Sequence, residues 1–264
     1  MNSATDPSPL AGGPALRWLA VWRRNLRVWY KLFGPALLGN FGEPLLYLLA
    51  LGYGLGGLVG RIDGLSYLAF LASGIAVSST MTTASFEGMF SAYTRMEVQK
   101  TWEAMRTAPL EVTDIVVGEA VWAATKSLFS GAAIVLVAAG LGAVSGWQAV
   151  LALPVMLLAG LCFAALALVV TSFATNYDFF LYYNTLVVMP MLLLSGVFFP
   201  LERMPEIIQW LALALPLSHA VDLVRPLLTG QPLAWPLLHL LVLAAYTAAG
   251  LALAVALLRR RLTA

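Results

Sequence analysis

Glu43, Glu87, Glu119, Lys126 and Asn184 each stand inside, or at the end of, a long apolar run. An ionisable group in such a place is costly unless paired, and it often marks an ion or substrate path. Glu119 and Lys126 are seven residues apart, so on a helix they share a face but stand roughly 10 Å apart along its axis. They cannot pair with each other. Lys126 therefore either snorkels to a partner near an interface or lines a transport path. Tyr177, Tyr182, Tyr183 and Asn184 have a similar choice. They line a path for a saccharide, whose hydroxyls suit aromatic faces and amides, or they form an interfacial aromatic belt. Other chemistry is poorly supplied. Cys162 is the sole cysteine, which excludes an internal disulfide framework and CxxC metal spacing. His219 and His239 lack zinc-type spacing and are read as packing or interfacial residues. A membrane-embedded lipid-modifying enzyme would need a clustered nucleophile, histidine or carboxylate pair, and no such cluster is visible. No GxxxxGK[ST] loop occurs, so this chain cannot hold ATP in that way. Neither cofactor nor metal is expected on it.

The elements that carry these groups follow from composition. Of 264 residues, 61% are hydrophobic and 11% charged, and the mean hydropathy is +0.85. Soluble domains average about 45–50% apolar and about 25% charged, so the class is a polytopic membrane protein. The net charge of +2 is too small and dispersed for nucleic acid. Residues 1–14 are polar and Pro/Gly-rich and are expected to be a disordered tail. They lack the form of a cleaved signal peptide. Residues 15–264 are expected to form a single transmembrane domain.

From Arg17 to Phe33, Trp18, Leu19, Trp22, Leu26, Trp29, Tyr30 and Phe33 share one helical arc. Arg17, Arg23, Arg24, Arg27 and Lys31 share the opposite one, which describes a helix lying on an anionic membrane surface. Six apolar segments follow, at about 35–58, 67–90, 115–144, 149–173, 179–199 and 235–258. Five basic residues in the first helix, Arg95, Lys100, Arg106 and Arg259–Arg261 fall on one side of these segments. Only Arg61, Arg203 and Arg225 fall on the other. That bias places both termini in the cytoplasm.

Two connections are long. In the cytoplasmic one, around 91–114, residues 100–108 favour a short helix that Pro109 ends. Such a helix either docks into a groove on a partner or merely links two spans. The external one, around 200–234, holds Glu202, Arg203 and Glu206 among apolar residues, with Pro200, Pro205 and Pro216 as breaks. A helix from Glu206 to Leu215 is only about 15 Å long, too short to span. With Trp210 and its apolar neighbours it suits a re-entrant hairpin dipping into the outer leaflet, its charges held at the surface.

LSGVFFPLERMP followed by LPLSHAVDLVRPLL, KTWEAM, DIVVGEAVWAATK and the terminal LLRRRL together resemble the sequence pattern of ABC-2 type exporter permeases, over nearly the whole chain. The resemblance implies an all-α permease with six spans, an N-terminal interface helix and an external re-entrant hairpin. It implies a bacterial inner-membrane homodimer working with two copies of a separate ATPase, which carries the ATP and Mg. Lys100, Thr101, Trp102, Glu103, Ala104, Met105 and Arg106 would form the coupling helix against that ATPase. The implied cargo is an amphiphilic lipo-oligosaccharide or lipid-linked glycan, with a hydrophobic drug as the alternative. Alkaline-phosphatase fusions test the topology: activity is expected after Gly64 and Gly230 and silence after Thr107, whereas strong activity after Thr107 overturns it.

Overall fold

The structure is a computed structural model that describes residues 16–31, 42, 45–52 and 54–263. The expected tail at 1–14, Phe33, Glu43 and part of the first apolar segment lie outside the described residues. Helix α1 is Trp18–Lys31, and residues 45–52 are also helical. A two-residue hairpin then pairs β1, Arg61–Ile62, with β2, Leu65–Ser66. Its turn, Asp63–Gly64, takes positive φ at both residues (50° and 80°), the tight reversal that an Asp-Gly pair favours.

The bundle proper consists of long helices. These are α2 (Tyr67–Val98), α4 (Val112–Gly140), α5 (Trp147–Phe173) and α9 (Pro236–Thr263), each long and apolar enough to cross a membrane. Between them lie α3 (Thr101–Arg106), α6 (Asp178–Leu194), α7 (Glu206–Leu213) and α8 (Pro216–Thr229). With 17 residues, α6 is only about 26 Å long, short of the roughly 30 Å hydrocarbon core.

Helix α2 is the centre, packing on α4, α5 and α8. Ser66 starts it, its hydroxyl accepting from the Ala69 amide at 3.2 Å. Its face is small and hydroxylated rather than bulky. Ser73, Ser78, Thr80 and Thr82 return their hydroxyls to carbonyls of the preceding turn, and Ser79 bonds Ser130 of α4 at 2.7 Å. Small residues bring backbones close where lipid gives no hydrophobic push between helices. At Gly74 a Cβ would stand 2.5 Å from the Val197 carbonyl oxygen, so only glycine lets the 195–199 segment lie against α2.

Helix α2 also runs further than the apolar pattern indicated. The second segment was expected to end near Phe90, yet the helix continues to Val98 through two wide, π-type turns, Glu87–Ser91 and Thr94–Val98. Arg95 therefore lies on a helix and not in a loop. Helix α3 matches the expected short helix closely.

The region after Pro200 is a bent pair. Helices α7 and α8 meet at 89°. The backbone groups freed at the bend are satisfied by side chains: Tyr246 donates to the Ala214 carbonyl at 2.7 Å and His219 Nε2 bonds the Leu213 carbonyl at 2.9 Å. This meets the requirement that irregular backbone in an apolar setting find internal partners. The second limb was read from sequence as part of a long connection; it is instead the mostly buried helix α8, packed on α2, α5 and α9. Ile207, Trp210, Leu211 and Leu213 of α7 remain exposed.

Slow reaction of a cysteine placed at an exposed leucine position of α7 would report lipid cover. After Cys162→Ala, single cysteines at 202 and 203 should react quickly with an impermeant thiol reagent and one at 213 slowly. Equal, rapid labelling at all three makes α7 a solvated loop helix.

Candidate functional site

One end of the bundle gathers α1, α3 and the last turns of α9, and with them most of the basic residues. At this end four charged side chains form an alternating chain. Lys126 Nζ donates to Glu87 at 2.8 Å, Arg95 Nη1 donates to Glu87 at 2.9 Å, and Arg95 Nη2 and Nε donate to Glu119 at 2.5 and 3.0 Å. Neutral donors fill the remaining acceptor sites. Trp122 Nε1 reaches Glu87 at 2.9 Å, while Trp102 Nε1 and Asn25 Nδ2 reach Glu119 at 3.2 and 3.1 Å. Arg24 in turn donates to Asn25 at 2.9 Å. Both carboxylates are buried. Two anions meet two cations, so no net charge is left in the apolar bundle, which is the condition under which buried ions persist.

The geometry depends on α2. Eight residues on in a regular α-helix, Arg95 would be rotated by about 80° from Glu87. The two wide turns take up that rotation, and side chains on a helix tilt toward its N-terminus, so Arg95 reaches back to Glu87. Such turns recur at functional positions. Helix α1 is held to the cluster at Gly118 of α4, where a Cβ would stand 2.6 Å from Val21 Cβ and 2.8 Å from the Trp18 carbonyl oxygen.

Helix α3 is fixed to this cluster by one residue. Trp102 is fully buried, so it anchors the helix rather than presenting itself to a partner. Lys100, Glu103, Ala104 and Arg106 are exposed, and Thr101 and Met105 are partly so. Lys100 adopts the left-handed conformation (φ 51°) that turns the chain from α2 into α3, and it bridges Glu97 and Glu103 at 3.3 and 3.2 Å. Those hydrogen bonds, Glu103's first, raise its pKa. The last turns of α9 hold the other side of α3. Arg106 donates to the Leu262 carbonyl at 2.6 Å and Arg261 pairs with Glu97 at 2.8 Å.

The remaining expected residues fall apart from one another. Glu119 and Lys126 do not pair, as their spacing requires, but Glu87 and Arg95 link them. On α1, Arg23, Arg27 and Lys31 are exposed, whereas Arg17 and Arg24 are partly covered. The apolar arc lies on α4, where Trp22 bonds Thr125 at 3.1 Å and Trp29 stacks on Phe129 at 5.5 Å. Tyr30 is exposed instead of sharing that arc. Tyr182 is exposed, Tyr183 half-buried, and Asn184 lines an apolar cavity of about 330 Å³ with Ser78, Ser79, Thr82 and Val188. At the far end Pro200 and Pro216 are buried, while Glu202, Arg203, Pro205, Glu206 and Trp210 are exposed.

Sequence reasoning missed Arg95 as the hub and missed Asn25. The available signal was Arg95 lying eight residues beyond a buried glutamate, hidden by ending the helix too early. The two histidines, read as packing or interfacial residues, are both buried and meet each other: His219 Nδ1 and His239 Nδ1 are 2.8 Å apart. Their separation along the chain gives no hint of the contact, which the packing of α8 on α9 creates.

A bundle of apolar helices that cancels its own buried charges, with a short helix anchored to the cancelled cluster, defines a multi-pass membrane protein. The chain belongs to the ABC-2 type transporter family, whose model matches residues 17–229. It is similar along almost its whole length to proteins named nodulation protein J. It is 51% identical over 263 residues to that of Rhizobium leguminosarum bv. viciae, covering 99% of each chain. With that of Rhizobium meliloti it shares 46% identity over 245 residues, 93% of this chain and 94% of the relative. The inner membrane transport permease YadH of Escherichia coli (strain K12) is 23% identical over 205 residues, 78% of each. The chain is therefore a transport subunit, and its family implies an ATPase partner.

Removing one carboxylate from the network leaves donors stranded. Glu119→Ala should lower stability by about 3–5 kcal/mol, read as thermal unfolding in detergent. Lys126→Met should lower it far less, because Glu87 keeps Arg95 and Trp122. Equal losses would show that the network is not centred on Arg95 and Glu119.

Proposed function

We propose that this chain is the membrane subunit of an ATP-driven exporter that moves an amphiphilic lipo-oligosaccharide or lipid-linked glycan out across the bacterial inner membrane. The active unit is two copies of the chain with two copies of a separate ATPase, which binds ATP and Mg, and this chain contributes no cofactor. Each copy crosses the membrane six times with both termini cytoplasmic, and Arg23, Arg27 and Lys31 of α1 rest on anionic lipid.

The observation that carries the reading is α3. A six-residue helix cannot hold its own shape in water, yet it is anchored through Trp102 to Glu119 and clamped by the end of α9. A rigid, charged knob suits the docking groove of a partner, and its Lys100, Glu103 and Arg106 line a polar cavity of about 350 Å³ with Arg261 of α9. Movement imposed on α3 would reach α1, α2 and α4 through the shared Glu119 carboxylate. The glycan-bearing cargo is the one that the sequence resemblance implies. A hydrophobic drug is the second reading, favoured by the apolar cavity around Asn184, Ser78 and Val188.

Exposed positions of α3 give the test. Glu103→Arg and Ala104→Glu should each reduce co-purification of the ATPase, or uncouple its hydrolysis from transport, at unchanged thermal stability. Trp102→Ala should lower stability as well. Wild-type association and coupling in the Glu103→Arg/Ala104→Glu double variant would remove α3 as the docking site.

A further inference from the structure

At the end of the bundle remote from α3 lies a second polar cavity, of about 320 Å³, between the β1–β2 turn, the 196–202 segment, α8 and the start of α9. Four elements build its wall. Asp63 comes from the turn, Glu202 from the segment before α7, Asp222 and Arg225 from α8, and His239 from α9. Pro200, Leu201, Pro226 and Pro232 supply its apolar parts.

Arg225 is a built-in fixture. Its Nε donates to Ser73 at 3.0 Å, its Nη2 donates to the Gly196 carbonyl at 2.7 Å, and its guanidinium carbon stands 3.8 Å from the Phe70 ring centroid. None of these partners is a carboxylate. Among the described residues, Asp222 has neither a hydrogen-bond nor an ion-pair partner, although it faces the cavity. Asp222 is partly exposed, so its carboxylate is open to a ligand that donates to it.

The histidine pair adds a further polar group. The Leu213 carbonyl can only accept, so His219 Nε2 donates to it. His219 Nδ1 and His239 Nδ1 share one hydrogen across the 2.8 Å contact. That leaves His239 Nε2 to bond a ligand. His239 is about nine-tenths buried, lines the cavity, and has no protein partner at Nε2 among the described residues.

The wall is thus rich in acceptors and short of donors. Three carboxylates face one guanidinium and the Gln231 amide, and that amide is already bonded to the Asp63 carbonyl at 3.1 Å. Such a wall selects a ligand rich in hydrogen-bond donors and free of negative charge. A volume near the lower limit of ligand cavities, about 300 Å³, admits one ring and excludes an acyl chain. We propose that this cavity binds a single hydroxyl-bearing sugar ring, neutral or amine-bearing, of the exported molecule as it leaves the bundle. The inference rests on the glycan reading above and adds to it a place and a charge preference. Glu202, exposed at the mouth before α7, meets the ring first, and Asp222 accepts from its hydroxyls deeper in, beside His239.

The test uses the full-length permease in lipid nanodiscs, with ligand-observed NMR of N-acetylglucosamine, glucosamine and N-acetylglucosamine 6-sulfate. The two uncharged or cationic sugars should bind and the sulfated one at least about tenfold more weakly, a factor that corresponds to one lost interaction. Asp222→Asn and the surface variant Glu202→Gln should each weaken binding by about tenfold, with unchanged thermal unfolding. Absence of sugar binding, unchanged binding in both variants, preference for the sulfate, or binding of calcium chloride alone would each overturn the proposal. Normal export by a protein whose cavity takes no sugar would defeat this inference and leave the exporter reading intact. Sugar binding without any lipo-oligosaccharide export would defeat the exporter reading instead.

Discussion

No charge inside an apolar bundle can stay unpaired, and Glu119 shows how far that constraint shapes this protein. Its carboxylate accepts from Asn25 of α1, Arg95 of α2 and Trp102 of α3 while sitting on α4. Water cannot solvate it there, so each donor must be delivered by a particular element in a particular place. Four elements are thereby fixed relative to one another. The wide turns of α2 belong to the same requirement, because they bring Arg95 round to serve both Glu87 and Glu119.

The rest of the packing is compatible with lipid on the outside and little hydrophobic drive within. Contacts between α2, α4, α5 and α9 run through glycine, alanine, serine and threonine, which lower the helix separation and return their hydroxyls to the backbone. At Gly131 and Gly160 there is no room for a side chain between neighbouring helices. The large apolar residues point the other way. Leu136, Leu186, Trp210, Leu237 and Leu241 are exposed on the protein, the arrangement expected of a surface that meets hydrocarbon.

The two ends of the bundle use their polar groups differently. Near α3 every charge of the buried network has an opposite partner, and neutral N–H groups complete the set, which makes a rigid joint between the short helix and the spans. At the far end Arg225 bonds only neutral oxygens, and Asp222, without a hydrogen bond among the described residues, lines a cavity with His239.

Composition alone determined the class, because a chain 61% hydrophobic must satisfy its backbone in helices within lipid. The spacing of prolines determined that the chain breaks at 200, 205 and 216, and the amphiphilic pattern determined α1 and the short α3. The seven-residue interval also ruled out direct pairing of Glu119 with Lys126. Tertiary structure decided everything that depends on which helix lies beside which. It turned Arg95 from a loop charge into the hub of the network, because hydropathy ends a helix at its first charges while paired charges let it continue. It turned Trp102 inward, since a tryptophan N–H beside a buried carboxylate is worth more than one facing water. It brought His219 against His239, and it made α8 a buried limb of a bent pair. These are contacts between residues far apart in the chain, and a local pattern holds no record of them.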